Sequence, residues 1–496
     1  MLLCLTMLLC AIPFSVTATE ETTATGEIKT LAELQAITGS GDYYLANDIY
    51  VDLSTVTLPL IKDGFTGTLD GKGYSILFQN ETTGAATNER ELTGSGGIVF
   101  NTCAAKKICD LTLGSAEVPV KLKASWANIG IVAQQSGAAT TFENVTVYGE
   151  MQANRTGAMN QGFFLGKGLN NLSFLNCKAI GSLTVTAQNA DAKKIGGFVG
   201  TYAPTASSNA GLTLTMEGCV SDVTITAASG ITVSNSRTYV GGLVGHLACT
   251  THPNKIKATN CISLQLPVMT NASGLSAHCD EFVGGIEADG DPVAVDAAAN
   301  QVTLTNCATS ETLAETLALT TDRVASIRFA TPTGIRYRTT VSGLYDTLVS
   351  LCGADNVKLG TLIAPELYVT DAGSFTKEAL DALTDIDSER YVEVAYGADE
   401  WYETADDAYV YTGAIAEILP ANYAVNYCGI GYLTYSVDGG NTWTTIYADY
   451  AEAEGQTGIP AYSIQYLAQC AVADTEAGYT TAQLEALQKY LPADGQ

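Results

Sequence analysis

The apolar residues of this chain recur in one short phrase: two glycines, a large apolar residue and valine, often closed by another glycine. Its clearest copies are residues 196–200 and 241–245, and looser copies begin at Gly96 and Gly284. The glycine before the apolar residue recurs every 32 to 45 residues, at positions 97, 130, 162, 197, 242 and 285. A period in this range predicts stacked supersecondary units.

Each repeat also carries a second, alternating β-patterned run, and in four of these runs an Asn-Cys or Gly-Cys pair recurs. The cysteines of these pairs are Cys177, Cys219, Cys261 and Cys307. Equivalent residues of stacked repeats lie about 4.8 Å apart. The spacing therefore predicts an inward ladder of small apolar thiols beside a ladder of turn residues. Disulfides between repeats are the alternative, although ladder geometry matches the required dihedral angle poorly.

The pattern divides the chain into two regions. Residues 27–318 predict an all-β, right-handed parallel β-helix, which is a solenoid, and residues 320–496 predict a smaller β-sandwich or α+β module. The second region contains 18 of the 25 tyrosines, and from residue 319 it holds 25 acidic and 8 basic side chains. Helical spacing appears over residues 376–383, 463–472 and 481–490.

The first residues predict export. Residues 1–18 lack charged side chains, contain an apolar run from Leu2 to Phe14 and end in the small-x-small tripeptide 16–18, which is typical of a signal peptide. No second run of about 20 apolar residues follows, so no transmembrane segment is expected in the mature chain. We expect a secreted or cell-surface protein.

The charge of the chain excludes one class of partner. The formal net charge is -28, from 24 basic and 52 acidic residues, whereas nucleic-acid binding depends on Lys and Arg. The cysteines form no CxxC pair and the three histidines are widely spaced, so no zinc site is predicted. No cofactor is expected, with weak calcium binding at Asp289-Gly290-Asp291 as the alternative.

One local motif matches a known sequence pattern at every defined position. Residues 436–443, Ser-Val-Asp-Gly-Gly-Asn-Thr-Trp, match the Asp-box pattern. In such a hairpin Asp438 accepts hydrogen bonds from turn amides, Gly440 takes a positive φ and Trp443 packs beneath the turn. The box resembles those of sialidases, in which it is structural. A single copy without an arginine triad predicts a structural turn.

The repeats resemble the GLUG-type motif of bacterial surface proteins, on residues 196–200 and 241–245. The entry segment, with residues 31–34 followed by 65–71, resembles the start of right-handed β-helix regions in such proteins. Residues 325–337 and 360–365 resemble a C-terminal module of exported proteins from gut Firmicutes. These resemblances imply a bacterial exported β-solenoid and assign no catalytic residue.

Candidate ligand-binding residues are the aromatic side chains of the second region, which are suited to stacking on sugar rings but are also common in cores. They are Trp401, Tyr402, Tyr409, Tyr411 and Tyr447. Arg336 and Arg338 alternate on a predicted strand, share one face and are suited to holding a carboxylate, although balancing the acidic module is the simpler account.

Catalytic residues are not predicted. The acidic clusters fit solvated loops better than a pair of glycosidase carboxylates, and they comprise Glu287-Asp289-Asp291, Asp385-Asp387-Glu389 and Asp406-Asp407. The predicted function is non-catalytic adhesion or ligand display toward a glycan or a host or bacterial surface protein. A β-helix carbohydrate-active enzyme and a structural stalk are the alternatives.

Overall fold

Strands dominate the part of the chain that can be described. The computed structural model describes residues 26–86, 89–94, 96–187, 191–204, 211–231, 237–249, 254–269, 278–288, 291–293, 301–384, 390–400, 402–405 and 408–492. The prediction of an all-β fold with parallel sheets is confirmed. The predicted signal peptide, residues 1–18, lies outside the described residues.

Residues 26–309, here called the repeat region, form three sheets. The largest, the long sheet, is parallel and has seventeen strands. They are Gly26–Ile28, Tyr43–Leu45, Ile49–Tyr50, Thr68–Asp70, Ser75–Leu77, Arg90–Leu92, Lys107–Leu113, Val120–Ala124, Thr140–Ala153, Leu172–Leu175, Lys178–Val185, Thr213–Glu217, Val220–Ala227, Lys255–Thr259, Ile262–Ser263, Val302–Thr305 and Ala308–Thr309.

The glycine phrase connects the two smaller sheets. The glycine sheet contains Gly96–Gly97, Asn128–Gly130, Met159–Gly162, Lys193–Gly196, Tyr239–Gly241 and His278–Asp280. The facing sheet contains Phe100–Cys103, Ala133–Ser136, Leu165–Gly168, Val199–Tyr202, Val244–Ala248, Ile286–Ala288 and Asp291–Val293. All neighbouring strands are parallel except the last two of the facing sheet.

The strand register shows which glycines of successive repeats are structurally equivalent, and this differs from the sequence-based alignment. In the glycine sheet Gly162 pairs with Gly196 and Gly196 with Gly241, so the first glycine of the two clearest phrases is the structurally equivalent one. Gly241 then pairs with Asp280, while Val244 bridges Val283. The interpretation of residues 284–286 as a further copy of the phrase is therefore wrong, because they follow Val283, the partner of Val244, and Ile286 already pairs with Leu247 in the facing sheet.

Close approach of two backbones explains why glycine is needed at the fifth position of the phrase. A Cβ on Gly200 would lie 2.3 Å from the backbone nitrogen of Gln161, and one on Gly245 would lie 2.5 Å from that of Ile195. Because these neighbours are backbone atoms, no side-chain rotation relieves the clash. The phrase thus allows the glycine sheet and the facing sheet to meet at backbone distance.

A ladder of left-handed residues turns the chain within the long sheet. Asp110, Asn144, Asn176, Asn260 and Asn306 have φ between 50° and 53°, and Gly218 has φ 61°. Asn, Asp and Gly tolerate this conformation best. Four of these left-handed residues come directly before the four repeated cysteines, and they are Asn176, Gly218, Asn260 and Asn306. Cys177, Cys219 and Cys261 are fully buried, Cys307 is half-buried, and all the cysteines of the described residues are free thiols.

Stacked phenylalanines fill the core of the middle repeats. Phe142 lies 4.9 Å from Phe174, and Phe164 lies 4.8 Å from Phe198, between ring centroids of nearly parallel rings. The two stacks meet edge to face, with 5.2 Å between Phe164 and Phe174. All four side chains are fully buried. The core is therefore continuous from one repeat to the next.

Residues 318–492 form two mainly antiparallel sheets, here called the C-terminal sheets. The arginine sheet contains Ala318–Thr321, Ser326–Arg328, Gly334–Ser342, Glu403–Ala405, Ala408–Ala416 and Asp449–Tyr450. The tyrosine sheet contains Val357–Pro365, Val392–Gly397, Tyr427–Tyr435 and Thr444–Tyr447. The sheets pack closely, because a Cβ on Gly413 would touch Thr361 and one on Gly429 would touch the Tyr337 ring.

Helices lie mostly around the C-terminal sheets. The α-helices of the described residues are Leu31–Ala36, Leu313–Thr316, Tyr345–Cys352, Glu366–Ala372, Lys377–Asp381, Ile464–Ala473 and Thr481–Leu487, and the 3-10 helices are Ala354–Asn356, Pro420–Asn422 and Gln488–Tyr490. The three helices predicted in the second region are confirmed, and Thr480 and Gln483 form a capping box. Within the described residues no helix has the length and apolar character needed to cross a membrane.

The two regions share a buried junction. Val220, Ile262 and Ala308 follow ladder cysteines and belong to one apolar cluster with Tyr345 and Leu348 of the C-terminal part. The hydroxyl of Thr347 also donates a hydrogen bond to the Asn260 carbonyl, at 2.9 Å. Two consecutive apolar residues at these corners, such as Cys-Val and Cys-Ile, break the strand alternation because both faces are buried there.

Candidate functional site

A groove of about 420 Å³ opens on the tyrosine sheet beside the helix Lys377–Asp381. We call it the tyrosine groove. Its polar and aromatic lining consists of Lys358, Lys377, Glu378, Glu393, Tyr432, Thr434, Thr445 and Tyr447. A concave site with aromatic walls and a few convergent polar groups is typical of small-ligand binding.

Glu393 lies at the centre of the polar network in the groove. Its carboxylate accepts hydrogen bonds from the Tyr432 hydroxyl and from Lys377 Nζ, each at 2.6 Å. Burial raises the pKa of Glu393, but these two hydrogen bonds outweigh burial and leave that pKa below its ordinary value. Burial and the bond to Glu393 in turn raise the pKa of Tyr432. Glu393 is therefore an anionic acceptor at neutral pH.

Tyr447 pairs with Tyr432 across neighbouring strands and lies beside it in the groove, with 6.3 Å between the two ring centroids. Its hydroxyl donates to Glu378 at 3.0 Å and accepts a bond from the backbone amide of Lys377 at 2.9 Å. Burial raises the pKa of Tyr447 to about 12. Both rings are thus fixed by their hydroxyl groups. Tyr432 is 7% exposed and Tyr447 is half-buried, so Tyr447 offers a ligand the more accessible aromatic face.

The Asp-box borders the groove. Asp438 Oδ1 accepts the Thr442 amide at 2.8 Å and the Ser436 hydroxyl at 2.7 Å, and its second oxygen accepts the Thr442 hydroxyl. These bonds hold the pKa of Asp438 at about 2. Gly440 has φ 92°, and Trp443 Nε1 donates to the Gly440 carbonyl at 3.0 Å.

The Asp-box also supplies a rim residue. Trp443 is partly exposed, and Nζ of the groove residue Lys358 lies 4.5 Å from the centre of its ring. The turn thereby positions Lys358 through a cation–π contact.

The predicted aromatic ligand residues do not form one surface. Tyr447 lies in the tyrosine groove, whereas Tyr402 is exposed on the arginine sheet, where its ring lies 5.3 Å from the Arg336 guanidinium. Tyr409 is half-buried and donates to the Asp346 carboxylate at 2.8 Å. Trp401 lies outside the described residues.

Tyr411 requires a correction. Only 1% of this residue is exposed, and its hydroxyl donates to the Tyr432 carbonyl at 3.0 Å. Burial raises the pKa of Tyr411 far above its ordinary value. The prediction of a ligand contact is wrong for Tyr411, because packing between the two C-terminal sheets uses its whole side chain.

Glu287 contradicts its interpretation as part of a solvated loop. Its side chain is 11% exposed, and its carboxylate lies 3.1 Å from both Lys194 Nζ and His246 Nε2 and 3.6 Å from Arg237 Nε. The second ring nitrogen of His246 is bonded to the Thr201 hydroxyl at 2.9 Å. We call these five residues the histidine cluster.

Burial determines the protonation of the histidine cluster. His246 is fully buried, and burial lowers its pKa to about 4. The hydrogen bond from His246 and the charge of Lys194 lower the pKa of Glu287 to about 2. At neutral pH the imidazole is therefore neutral and the carboxylate charged.

Sequence reasoning missed the histidine cluster although a signal was present. Thr201 and His246 pair in the facing sheet, and each directly follows the closing glycine of a clear phrase. Lys194 stands two residues before the first glycine of its phrase. Lys194, His246 and Glu287 are separated by 41 to 93 residues in the sequence, which hides their proximity from any local motif.

Metal binding has little support among the described residues. Asp70, Cys109 and Asp110 place one ligand atom each within 4.8 Å of one another. Asp70 is already paired with Lys72 Nζ at 2.7 Å, and burial raises the pKa of Cys109 to about 12, so this thiol is protonated.

Several residues of the predicted calcium site and of the acidic clusters lie outside the described residues. They are Asp289 and Gly290 of the proposed calcium site and the clusters Asp385-Asp387-Glu389 and Asp406-Asp407. Calcium binding at residues 289–291 stays a prediction.

Comparisons with known proteins give no relative. The chain matches no family model, no curated protein and no solved structure. The repeats resemble the GLUG-type motif and the C-terminal module resembles exported Firmicutes proteins only on the residues quoted above. Both resemblances therefore stay predictions.

Proposed function

We propose that this chain is an exported, non-catalytic glycan-binding protein of the secreted or cell-surface class, with its sugar site in the tyrosine groove. The observation that carries the proposal is the pair of hydroxyl-anchored rings, Tyr432 and Tyr447, beside the carboxylates of Glu378 and Glu393. Aromatic faces pack against the apolar faces of sugar rings, while carboxylates accept hydrogen bonds from sugar hydroxyl groups.

In this proposal residues 27–318 form a right-handed parallel β-helix that serves as the scaffold. The in-register parallel pairing of successive repeats in three sheets supports this architecture. Export is supported by the apolar, uncharged residues 1–18 and the small-x-small tripeptide 16–18. A host or bacterial surface glycan is the partner class that fits this location.

A glycan array probed with the full chain tests the proposal, followed by titration of the glycan that binds best. Replacing Tyr447 by Ala should weaken binding at least tenfold, because it removes the more accessible aromatic face of the groove. Glu393→Gln should also weaken binding, since it removes the charge of the central acceptor. Tyr466→Ala, at an exposed tyrosine on the helix Ile464–Ala473, is the matched control and should bind normally.

Two results would contradict the proposal. Absence of binding to any glycan would favour a structural stalk. Release of reducing sugar from pectin, mucin or a host glycan would favour a carbohydrate-active enzyme. The histidine cluster is the observation that favours an enzyme, because perturbed titratable groups are common in active sites. Complete burial of His246 weighs against direct contact with a polymer.

A further inference from the structure

A second cavity, which shares no lining residue with the tyrosine groove, lies beside the arginine sheet and is also lined by Tyr396 of the tyrosine sheet. It has a volume of about 440 Å³, and its lining includes Arg328, Phe329, Arg336, Tyr396, Tyr402 and Thr412. We propose that this cavity binds a uronate, that is, a sugar ring bearing a carboxylate, with Arg328 and Arg336 holding the carboxylate and Tyr402 covering the ring.

Strand register brings the two guanidinium groups to one face. Ser326 pairs with Arg336, and Arg328 pairs with Gly334, in an antiparallel ladder. Arg328 and Arg336 are therefore diagonal neighbours on the same side of the sheet, about 7–8 Å apart at the backbone. Long side chains from such positions converge on one ligand group, and both line the same cavity.

Charge distribution makes these arginines unusual. Acidic residues outnumber basic residues by 52 to 24 in the chain, yet neither Arg328 nor Arg336 forms an ion pair within the described residues. Arg338, two residues further along the same strand, does pair with Glu403 at 3.2 Å. A carboxylate from outside the chain would supply the partner that Arg328 and Arg336 lack there.

Hydrogen bonds within the protein orient the guanidinium groups of Arg328 and Arg336 and leave some of their N–H donors available. Arg336 Nε donates to the Ser326 hydroxyl at 3.0 Å and its Nη1 to the Tyr402 hydroxyl at 3.3 Å. Arg328 Nη1 donates to the Ala330 carbonyl at 2.9 Å and to the carbonyl of Pro332. Nη2 of each side chain has no hydrogen bond to a described residue. Preorganised guanidinium groups with free N–H donors are suited to bidentate binding of a carboxylate.

The aromatic residues of the cavity indicate what kind of group is attached to the carboxylate of the ligand. Tyr402 is 59% exposed and its ring lies against Arg336, so one aromatic face is accessible beside the guanidinium. Tyr396 is fixed by a 2.6 Å hydrogen bond to the Thr412 carbonyl. Glu400, in an adjoining cavity of about 300 Å³, already accepts the Gly397 amide at 2.9 Å. Because the exposed Tyr402 ring lies beside the Arg336 guanidinium, the cavity suits a ligand whose carboxylate is attached to a ring better than a small free carboxylate such as acetate.

Calorimetric titration of the full chain with α-1,4-trigalacturonic acid, and with the same trisaccharide fully methyl-esterified, tests this inference. The acid should bind at least tenfold more tightly than the ester, and raising the salt concentration should weaken binding of the acid. Arg336→Gln should reduce affinity for the acid at least tenfold. Arg338→Gln, on the same strand but outside the cavity lining, is the matched control and should bind like the unmodified chain.

Equal affinity for acid and ester would overturn the inference, and so would unchanged binding by Arg336→Gln. Acetate should compete only at concentrations far above those of the trisaccharide, whereas equal potency of acetate would exclude a sugar as the ligand. Thermal melts of both variants verify the fold. Because Arg336 lies outside the tyrosine groove, failure of that groove to bind a glycan leaves this test intact.

Discussion

The repeat region and the C-terminal sheets are stabilised by different means. In the repeat region glycines let two sheets meet at backbone distance and phenylalanines stack from one repeat to the next. In the C-terminal sheets buried tyrosines donate to distant carbonyls, as Tyr337 does to Tyr427 at 2.7 Å and Tyr345 does to Ala398 at 2.8 Å. The repeat region uses the same packing contacts in successive repeats, whereas the hydrogen bonds of the C-terminal sheets join residues that are far apart in sequence.

This difference separates structural tyrosines from candidate ligand residues. Tyr411, which is fully buried and whose hydroxyl bonds the Tyr432 carbonyl, is a core residue. Tyr432 and Tyr447 instead bond carboxylates at the wall of a groove. Abundance of tyrosine therefore predicts a core, and only rings that line a groove, such as Tyr447, are candidates for ligand contact.

The largest expected effect tests the backbone contact in the repeat region. Gly245→Ala should lower the free energy of unfolding by about 3 kcal/mol, because the added Cβ would lie 2.5 Å from backbone atoms of Gly200 and Ile195. Denaturant titration measures the change. Gly94→Ala, where nothing lies within 4 Å of the added Cβ, is the control and should change stability by less than about 0.5 kcal/mol. Equal effects would refute the close-packing account.

Acidification should also weaken the repeat region, through His246. Its pKa is about 4 when folded and close to 6.5 when unfolded. Between these values the unfolded chain binds a proton that the folded chain does not, so this stability is complete above pH 6.5 and lost as pH falls toward 4. The full loss amounts to about 3 kcal/mol.

Denaturation midpoints at pH 7, 6 and 5 measure this effect. His246→Gln cannot titrate, so its stability should fall less over this range than that of the unmodified chain. Glu287, with a pKa of about 2, loses its contribution only below pH 4.5 and leaves this range undisturbed. His278→Gln, at an exposed position, is the control. A slope unchanged by His246→Gln would show that the imidazole is already charged or accessible.

The smallest effect tests the tyrosine bonds of the C-terminal sheets. Tyr411→Phe keeps the ring but removes the hydrogen bond to the Tyr432 carbonyl, which should cost about 1 kcal/mol. Denaturant titration followed by tyrosine fluorescence measures it. Tyr466→Phe, at an exposed site, serves as control. If Tyr411→Phe equalled the control, the hydroxyl bonds would contribute nothing and packing alone would hold the two sheets together.

Local patterns predicted the repeats, the corner asparagines with their cysteines, and the three C-terminal helices, because each depends on residues close in sequence. The phase at Gly284 was misassigned because Asp280 replaces the expected glycine. The tyrosine groove combines residues from 358 to 447, and the histidine cluster combines three repeats. Such sites depend on strand order and register, which a single sequence does not specify.

The central claim is that recognition belongs to the C-terminal sheets and that the repeat region is a scaffold. Hydrogen–deuterium exchange of the full chain, with and without a saturating amount of the best array glycan, tests it most directly. We predict added protection in residues 377–384, 390–396 and 427–447, and none in strands Lys193–Gly196, Val199–Tyr202 and Val244–Ala248. Protection of those three strands with no change in the tyrosine sheet would contradict the account.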